Sequence, residues 1–284
     1  WARHPVWQYD RSRIVSPKFR IKERDYYLIL NQDYACGFTL SDEGHVGFRS
    51  VSLLNFKEGW EHTETILIPF PMGNMKMPAS SEVGAIVCRD KRLRLEFRKE
   101  AGRHFISCDF KNFWKGKPFY CELSLERPEM DMMAIAATWP GKKTFYYNQK
   151  INCMRAEGYM AFDDMTWWFD PEQDYGTLDW GRGVLPYDST WYWSSGNGTV
   201  GGRTFGFNIG YGAGDTSSAT ENILYYDGKS HKLDDVEFHI PEGDYMSPWS
   251  FTSNDGRFEM EFIPVLDRAE SKSRLAIRFD QHQV

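Results

Sequence analysis

Nowhere does the sequence string together the roughly 18 apolar residues that a membrane-spanning helix needs, which excludes an integral helical membrane protein. Cysteine is scarce, at 5 in 284 residues. Cys36, Cys88, Cys108, Cys121 and Cys153 are odd in number and lack CxxC spacing. That pattern argues against a disulfide framework and for a reducing compartment, so the cytoplasm is the expected location. The chain opens at Trp1 and closes on Val284 within a strand-like run, so both ends read as trimmed. A removed signal peptide therefore stays open as an alternative. Positive charge is not in excess: the net charge is −6, which leaves no global field to hold nucleic acid or an anionic membrane. The 7 histidines are scattered without HxH or HExxH spacing, so no metal is expected unless the fold itself assembles ligands. There is no Gly-x-Ser-x-Gly elbow and no Walker loop. The glycine-rich run Gly210–Gly214 follows a strand-like segment and leads into Asp-Thr-Ser-Ser without a helix, which reads as a loop at a barrel mouth and not a dinucleotide site. No cofactor is expected, and the oligomeric state is open.

Aromatic residues, by contrast, are abundant: 16% of the chain, with 11 Trp, 15 Tyr and 20 Phe. They favour strands, cores and flat-faced ligands. The dominant period is two. Arg92–Phe97, Phe119–Leu125, Phe205–Tyr211, Arg257–Phe262 and Arg274–Phe279 alternate polar with apolar residues, as half-buried antiparallel strands do. Turn signals fall between them at Asp42-Glu43-Gly44, Ala101-Gly102, Asp227-Gly228 and Asn254-Asp255-Gly256. Asn197-Gly198-Thr199 fits a glycosylation sequon, although Asn-Gly between aromatic strands more often marks a hairpin turn. No amphipathic segment carries helix periodicity and caps. The expected fold is all-β: two antiparallel barrels or sandwiches packed side by side, residues 1–140 and 141–284, meeting at the Pro-Gly turn within Thr138–Lys143.

The chemistry concentrates in Leu178–Trp193, which holds Asp179, Trp180, Arg182, Tyr187, Trp191 and Trp193. Gly181 and Gly183 flank Arg182, so Asp179 and Arg182 are expected to share one space, with Trp191 and Trp193 forming an aromatic wall on one strand face and Trp180 nearby. Asp179 is the first candidate for general acid or base; burial between Leu178 and Trp180 would raise its pKa and a neighbouring Arg182 would lower it. Glu221 and Asp215 are the further carboxylates that could divide the work, the plainer alternative being turn carboxylates that cap backbone amides. Tyr187 is placed as proton donor or substrate-orienting phenol, against the alternative of a core tyrosine. Asn148 and Lys150 share a strand face and are placed as substrate-binding, as are Asn208 and Tyr211, which lie on opposite faces of their strand. Met72–Met77 offers adaptable apolar surface for a ligand entrance or for loop packing.

Phe145–Lys150, Leu178–Gly183, Pro186-Tyr187, Trp191–Trp193, Gly206–Gly210, Ala219–Asn222 and Tyr226–Lys229 together resemble the bacterial domain-of-unknown-function family 2804. That family is similar in plan to the carotenoid 1,2-hydratase and AttH-like proteins, in which two lipocalin-like barrels stand side by side. The resemblance implies a ligand cleft at or between the barrels and acid-assisted reactions such as hydration of a double bond or cyclisation. It carries no residue roles across. The residues and the resemblance together favour a cofactor-free acid/base enzyme of hydratase, lyase or isomerase type acting on a small organic molecule in an aromatic-lined cleft. A carbohydrate-active enzyme with paired carboxylates and a lipid or pigment carrier are the alternatives. A carrier needs a mostly apolar cavity, whereas an enzyme needs at least two titratable groups within reach of the reacting atoms.

Overall fold

The computed structural model describes residues 1–284 except 140–142, 213, 218, 275, 276 and 284; the side chains of 270–280 and 282 also lie outside the description. Among the described residues all regular structure is strand apart from 3-10 turns at Arg11–Arg13 and Lys18–Arg20. A large curled sheet contains β1 (Lys22–Leu30), β2 (Tyr34–Asp42), β3 (Val46–Asn55), β4 (Trp60–Pro69), β5 (Gly84–Arg89), β6 (Leu93–Glu100), β7 (Arg103–Trp114), β8 (Lys117–Glu126), β9 (Met133–Thr138), β10 (Phe145–Phe162), β11 (Met165–Phe169) and β12 (Tyr175–Val184). Their spatial order is β4-β3-β2-β1-β12-β10-β8-β7-β6-β5, with β9 and β11 also paired to β10. A second sheet orders β13 (Tyr192–Val200), β14 (Arg203–Tyr211), β15 (Ile223–Tyr226) and β16 (Lys229–Lys232). A third holds β17 (Val236–His239), β18 (Trp249–Ser253) and β19 (Glu259–Phe262), and β20 (Arg268–Arg274) pairs with β21 (Ile277–Gln283). The pairing is antiparallel, as the alternation predicts.

Three local expectations change. The run Arg274–Phe279, read as one strand, belongs to the β20–β21 hairpin, and its residues 275 and 276 lie outside the described residues. Asn197-Gly198 sits inside β13, and the reversal comes at Gly201 and Gly202, whose φ values of +59° and +75° suit the turn. The third concerns the Thr138–Lys143 seam, of which residues 140–142 are outside the description. On its two sides β9 pairs with β10, and β10 and β12 pair with β8 and β1. Hydrogen bonding therefore crosses the 140/141 division.

The inward face of the large sheet holds the main core, including Tyr27, Phe38, Leu53, Phe97, Phe110 and Phe119. Each such side chain contributes about 1.5–3 kcal/mol by leaving water. Charged residues interrupt this face: Glu23 and Asp25 on β1, Lys99 on β6 and Arg182 on β12 are all buried. The turn from β2 to β3 needs glycine, because at Gly44, with φ +80°, a Cβ would fall 2.1 Å from the Phe19 carbonyl oxygen.

β10 is the hinge of the architecture. Its register against β12 shifts between Ile151 and Met154, and Cys153 there has φ +56°. The extra residue of this bulge changes which parity faces the core: Tyr147 and Ile151 before it, Met154, Ala156, Met160 and Phe162 after it. Tyr146, Asn148, Lys150 and Asn152 consequently point out of the main core, and β13–β15 cover that outer face. An apolar cluster of Met133 and Ile135 with Ile223 and Tyr225 closes one end of the interlayer. Asparagines stitch the other: Asn152 Nδ2 donates to Ser195 Oγ at 2.8 Å, and Asn197 accepts from the Cys153 amide and donates to Thr177 Oγ1, both at 2.8 Å. Asn197 is thus committed to packing, which argues against the sequon reading.

Candidate functional site

Asp179 lies mid-strand on β12, opposite Tyr26 of β1 on one side and Lys150 of β10 on the other. Strand alternation places Asp179 and Gly181 on the outer face, where a Cβ on Gly181 would meet Asn148 Nδ2 at 3.4 Å and Tyr146 Cε2 at 3.7 Å, so these two side chains cover the backbone beside the carboxylate. Lys150 Nζ stands 3.3 Å from Asp179 Oδ2 and 3.4 Å from Glu221 Oε2, and 4.4 Å from the centre of the Trp193 ring. Each carboxylate has its own asparagine. Asn148 Nδ2 donates to Asp179 Oδ1 at 2.6 Å; Asn208 Nδ2 donates to the Glu221 carbonyl at 2.8 Å and to Oε2 at 3.3 Å. Trp193 Nε1 donates to Asn208 Oδ1 at 2.7 Å, which orients that amide. Lys150 is only 2% exposed, Asn148 and Asn208 are buried, and Asp179 is half-buried. Burial of a lone ammonium would cost several kcal/mol. Two carboxylates near 3.3 Å offset it, each with a Coulomb attraction of about 5 kcal/mol at an effective dielectric of roughly 20.

Glu221 comes from the segment before β15, and its neighbours pin it. Thr220 Oγ1 donates to the Asp234 carbonyl at 2.6 Å and accepts from Lys232 Nζ at 2.7 Å; Asn222 Oδ1 accepts from the Gly210 amide at 2.8 Å. Burial lowers the Lys232 ammonium to about 8. A Cβ on Gly210 would fall 2.7 Å from Glu221 Oε1, so the close approach of β14 to Glu221 requires glycine. Beside Glu221 a cavity of about 10 Å³, lined by Tyr146 and Tyr211 among others, is just large enough to admit one water molecule.

Two tyrosines complete the arrangement. Tyr146 is pushed well above the ordinary phenol range by burial and then by the charges of Asp179 and Glu221. Tyr26 is raised by burial, with Arg268 pulling it down and Asp179 pushing it up. Both phenols are held in their protonated, donor form. Neither was a candidate from sequence, although Tyr146 shares the parity of Asn148 and Lys150 and was open to the same argument. Tyr26 has no local signal and is delivered by β1–β12 pairing.

Among the residues singled out from sequence, Asp179, Glu221, Asn148, Lys150, Asn208 and Trp193 come together. Tyr211 lines the cavity beside Glu221, and the remaining candidates do not join them. Arg182 is three residues from Asp179 on a strand, hence on the opposite face, and pairs with Asp25 Oδ1 at 2.8 Å inside the main core. Lys99 holds the other Asp25 oxygen at 2.6 Å. Trp180 lies beneath the Arg182 guanidinium, 4.0 Å from its ring, fully buried. Trp191 precedes β13 and is 41% exposed, so it does not share a wall with Trp193. Tyr187 is 82% exposed under the Arg20 guanidinium, neither core nor site. Tyr211 stacks on Tyr192 at the cavity rim. Asp215 is exposed and accepts from the Ser217 amide, the turn-capping alternative. Among the described residues no three His, Cys, Asp or Glu side chains gather as a metal-ligating group, no helix is long and apolar enough to cross a membrane, and the five cysteines are buried and unbridged.

Across residues 1–284 the sequence matches the model of the family described as domain of unknown function (DUF2804). The chain belongs to this family. No curated protein matches it. In fold, this DUF2804 chain is similar to the crystal structure of an AttH-like protein from Nitrosomonas europaea, with 14% identity and a TM-score of 0.57 over 93% of this chain and 86% of that one. It is also similar to kievitone hydratase from Nectria haematococca, with 10% identity and a TM-score of 0.50 over 89% of this chain and 81% of that one. The DUF2804 chain therefore has the nearly all-β, lipocalin-like architecture of these proteins, in the form of a curled half-barrel sheet with smaller sheets beside it.

Proposed function

We propose that the interlayer site is a cofactor-free acid/base centre that adds water to, or removes it from, a small organic substrate. The observation that carries this reading is a buried lysine held between two carboxylates, one of which borders a cavity just large enough to admit one water. Asp179, half-buried and a carboxylate in the free protein, takes up a proton from solvent as substrate binds and delivers it to one carbon of a substrate double bond. Glu221 takes a proton from the water whose oxygen bonds to the other carbon. Lys150 holds both carboxylates in place and offsets their repulsion, and the Tyr26 and Tyr146 phenols donate hydrogen bonds to substrate oxygen. Release of the proton from Glu221 to solvent closes the cycle, and the reverse sequence eliminates water.

The similarity in fold to a hydratase agrees with this reading without assigning roles. A lipid or pigment carrier fits less well, because the interlayer is lined by two carboxylates, an ammonium and two amides. A carbohydrate-active enzyme lacks its aromatic platform here, since of Trp180, Trp191 and Trp193 only the last reaches the site. The cytoplasm remains the proposed location on the strength of five unbridged thiols.

The test is to incubate the protein with a cell extract in ¹⁸O-labelled water and to search by mass spectrometry for metabolites that gain or lose one water. Protein-dependent ¹⁸O incorporation is expected, reduced on the order of a hundredfold in Asp179→Asn and in Glu221→Gln, assayed at a temperature where circular dichroism shows both variants folded, since each also loses one partner of the buried Lys150. Incorporation equal in parent and variants would end the assignment.

A further inference from the structure

On the inner side of the large sheet, away from the interlayer, a cleft of about 460 Å³ opens between the N-terminal segment and the methionine-rich loop that follows β4. Its size lies in the range of small-molecule sites, roughly 300–1,000 Å³. Glu23, Tyr9 and Met77 form the floor; Arg11, Arg13 and Lys76 stand around it. Glu23 is 2% exposed, accepts from the Tyr9 hydroxyl at 2.9 Å, and is paired with Arg11 at 2.6 Å. Burial pushes its carboxyl up against the pull of Arg182 and Arg11.

The loop is built rather than draped. Phe70, Met72 and Lys76 have φ values of +47°, +48° and +54°, three left-handed non-glycine residues within seven positions. Such backbone costs about 1–3 kcal/mol per residue, persists only where its surroundings over-determine it, and gathers at ligand clamps. Those surroundings are the buried ions of the core: Arg182 Nη2 donates to the Pro78 carbonyl at 2.7 Å, Lys99 Nζ to the Ser80 carbonyl at 3.3 Å, and the Gly73 amide to Asp42 Oδ2 at 2.7 Å. A Cβ at Gly73 would fall 2.6 Å from Arg11 Nε, so the guanidinium lies flat on the loop.

The charges around the cleft are unequal. Glu23 is neutralised by Arg11, and Asp10 is occupied by the Ser12 amide and hydroxyl at 2.9 and 2.7 Å, with Arg13 nearby. Arg13 and Lys76 form no ion pair within 4.0 Å among the described residues, and both are exposed. We infer that this cleft is a second ligand site, specific for a small hydroxylated carboxylate whose anion meets Arg13 and Lys76 at the rim and whose hydroxyl groups meet Glu23 and Tyr9 on the floor, with Met77 against its carbon skeleton. The site is independent of the acid/base reading, because Glu23 and Asp179 lie on opposite faces of the large sheet.

The probes are galacturonate, gluconate and quinate, with galactose and acetate as controls that lack the carboxylate or the hydroxyls. Binding to the full chain is read by isothermal titration calorimetry and saturation-transfer NMR. At least one hydroxy acid should bind more tightly than both controls, and Arg13→Ala/Lys76→Ala, both at exposed positions, should weaken it tenfold or more. Glu23→Gln should weaken it too, and Asp179→Asn should leave it unchanged. No binding of any hydroxy acid at about 10 mM, unchanged affinity in the double variant, or loss of binding in Asp179→Asn would each overturn the inference.

Discussion

Replacing Lys150 with Met removes the ammonium and keeps most of the side-chain volume, so what is lost is charge. In the parent, Nζ lies 3.3 and 3.4 Å from two carboxylate oxygens with almost no solvent contact. Taking one partner from a buried ion cluster costs about 3–5 kcal/mol, mostly because the remaining charges stay buried without compensation. Here two carboxylates remain, each with one asparagine. At about 2–4 °C per kcal/mol for a chain of this class, the melting temperature should fall by roughly 6–20 °C. A second variant, Lys150→Met/Glu221→Gln, removes one of the stranded charges and should recover half of the loss or more. Urea unfolding followed by tryptophan fluorescence gives the free energies, and the four-member cycle isolates the coupling. A Lys150→Met protein within about 1 kcal/mol of the parent, or a double variant less stable than the single, would refute the electrostatic account of the site.

On the inner face, Arg182→Met strands Asp25 with Lys99 alone and should cost about 3–5 kcal/mol in the same assay, whereas Tyr187→Ala should stay within about 0.5 kcal/mol. The reverse ranking would refute the buried Arg182–Asp25 pair and the exposed setting of Tyr187. His104 is buried with its Nδ1 3.0 Å from the Tyr27 hydroxyl, and burial, then Lys99 and Arg127, push it down to about 3. The unfolded chain takes up that proton near pH 6.5 and the folded protein does not. Its contribution is therefore fully present above pH 6.5 and is lost as pH falls toward 3, by about 2 kcal/mol between pH 6.5 and 5. His104→Phe should flatten the stability profile in that interval; an unchanged slope would show that His104 is not the group responsible.

Period-two alternation made the strands legible, and the same parity made Asn148 and Lys150 legible as neighbours on one face. Parity also explains the main error. The glycines flanking Arg182, Gly181 and Gly183, suggest a turn that brings Asp179 and Arg182 together, but the segment is regular strand throughout, and three steps along a strand reverse the face. Trp191 and Trp193 satisfy the parity rule, yet the strand begins at Tyr192, so the rule has nothing to act on at Trp191. Tyr26 enters the site through β1–β12 pairing and Glu221 through a pinned segment beside β15, both set by long-range contacts with no local period. The ion cluster of Asp25, Lys99 and Arg182 was hidden for the same reason: each residue occupies an apolar position of an ordinary alternating strand.

The bulge at Asn152-Cys153 makes chain length, more than residue identity, the tight constraint on this protein. Upstream of it, β10 contributes Asn148 and Lys150 to one chamber and Tyr147 and Gln149 to the other; downstream, the opposite parity fills the main core. A substitution alters one contact, but gain or loss of a single residue between 145 and 153 would exchange the two faces and present the wrong side chains to both chambers at once. Divergence within this architecture is therefore free to lengthen an exposed turn such as Gly201-Gly202 between β13 and β14, and must leave the count of residues along β10 alone.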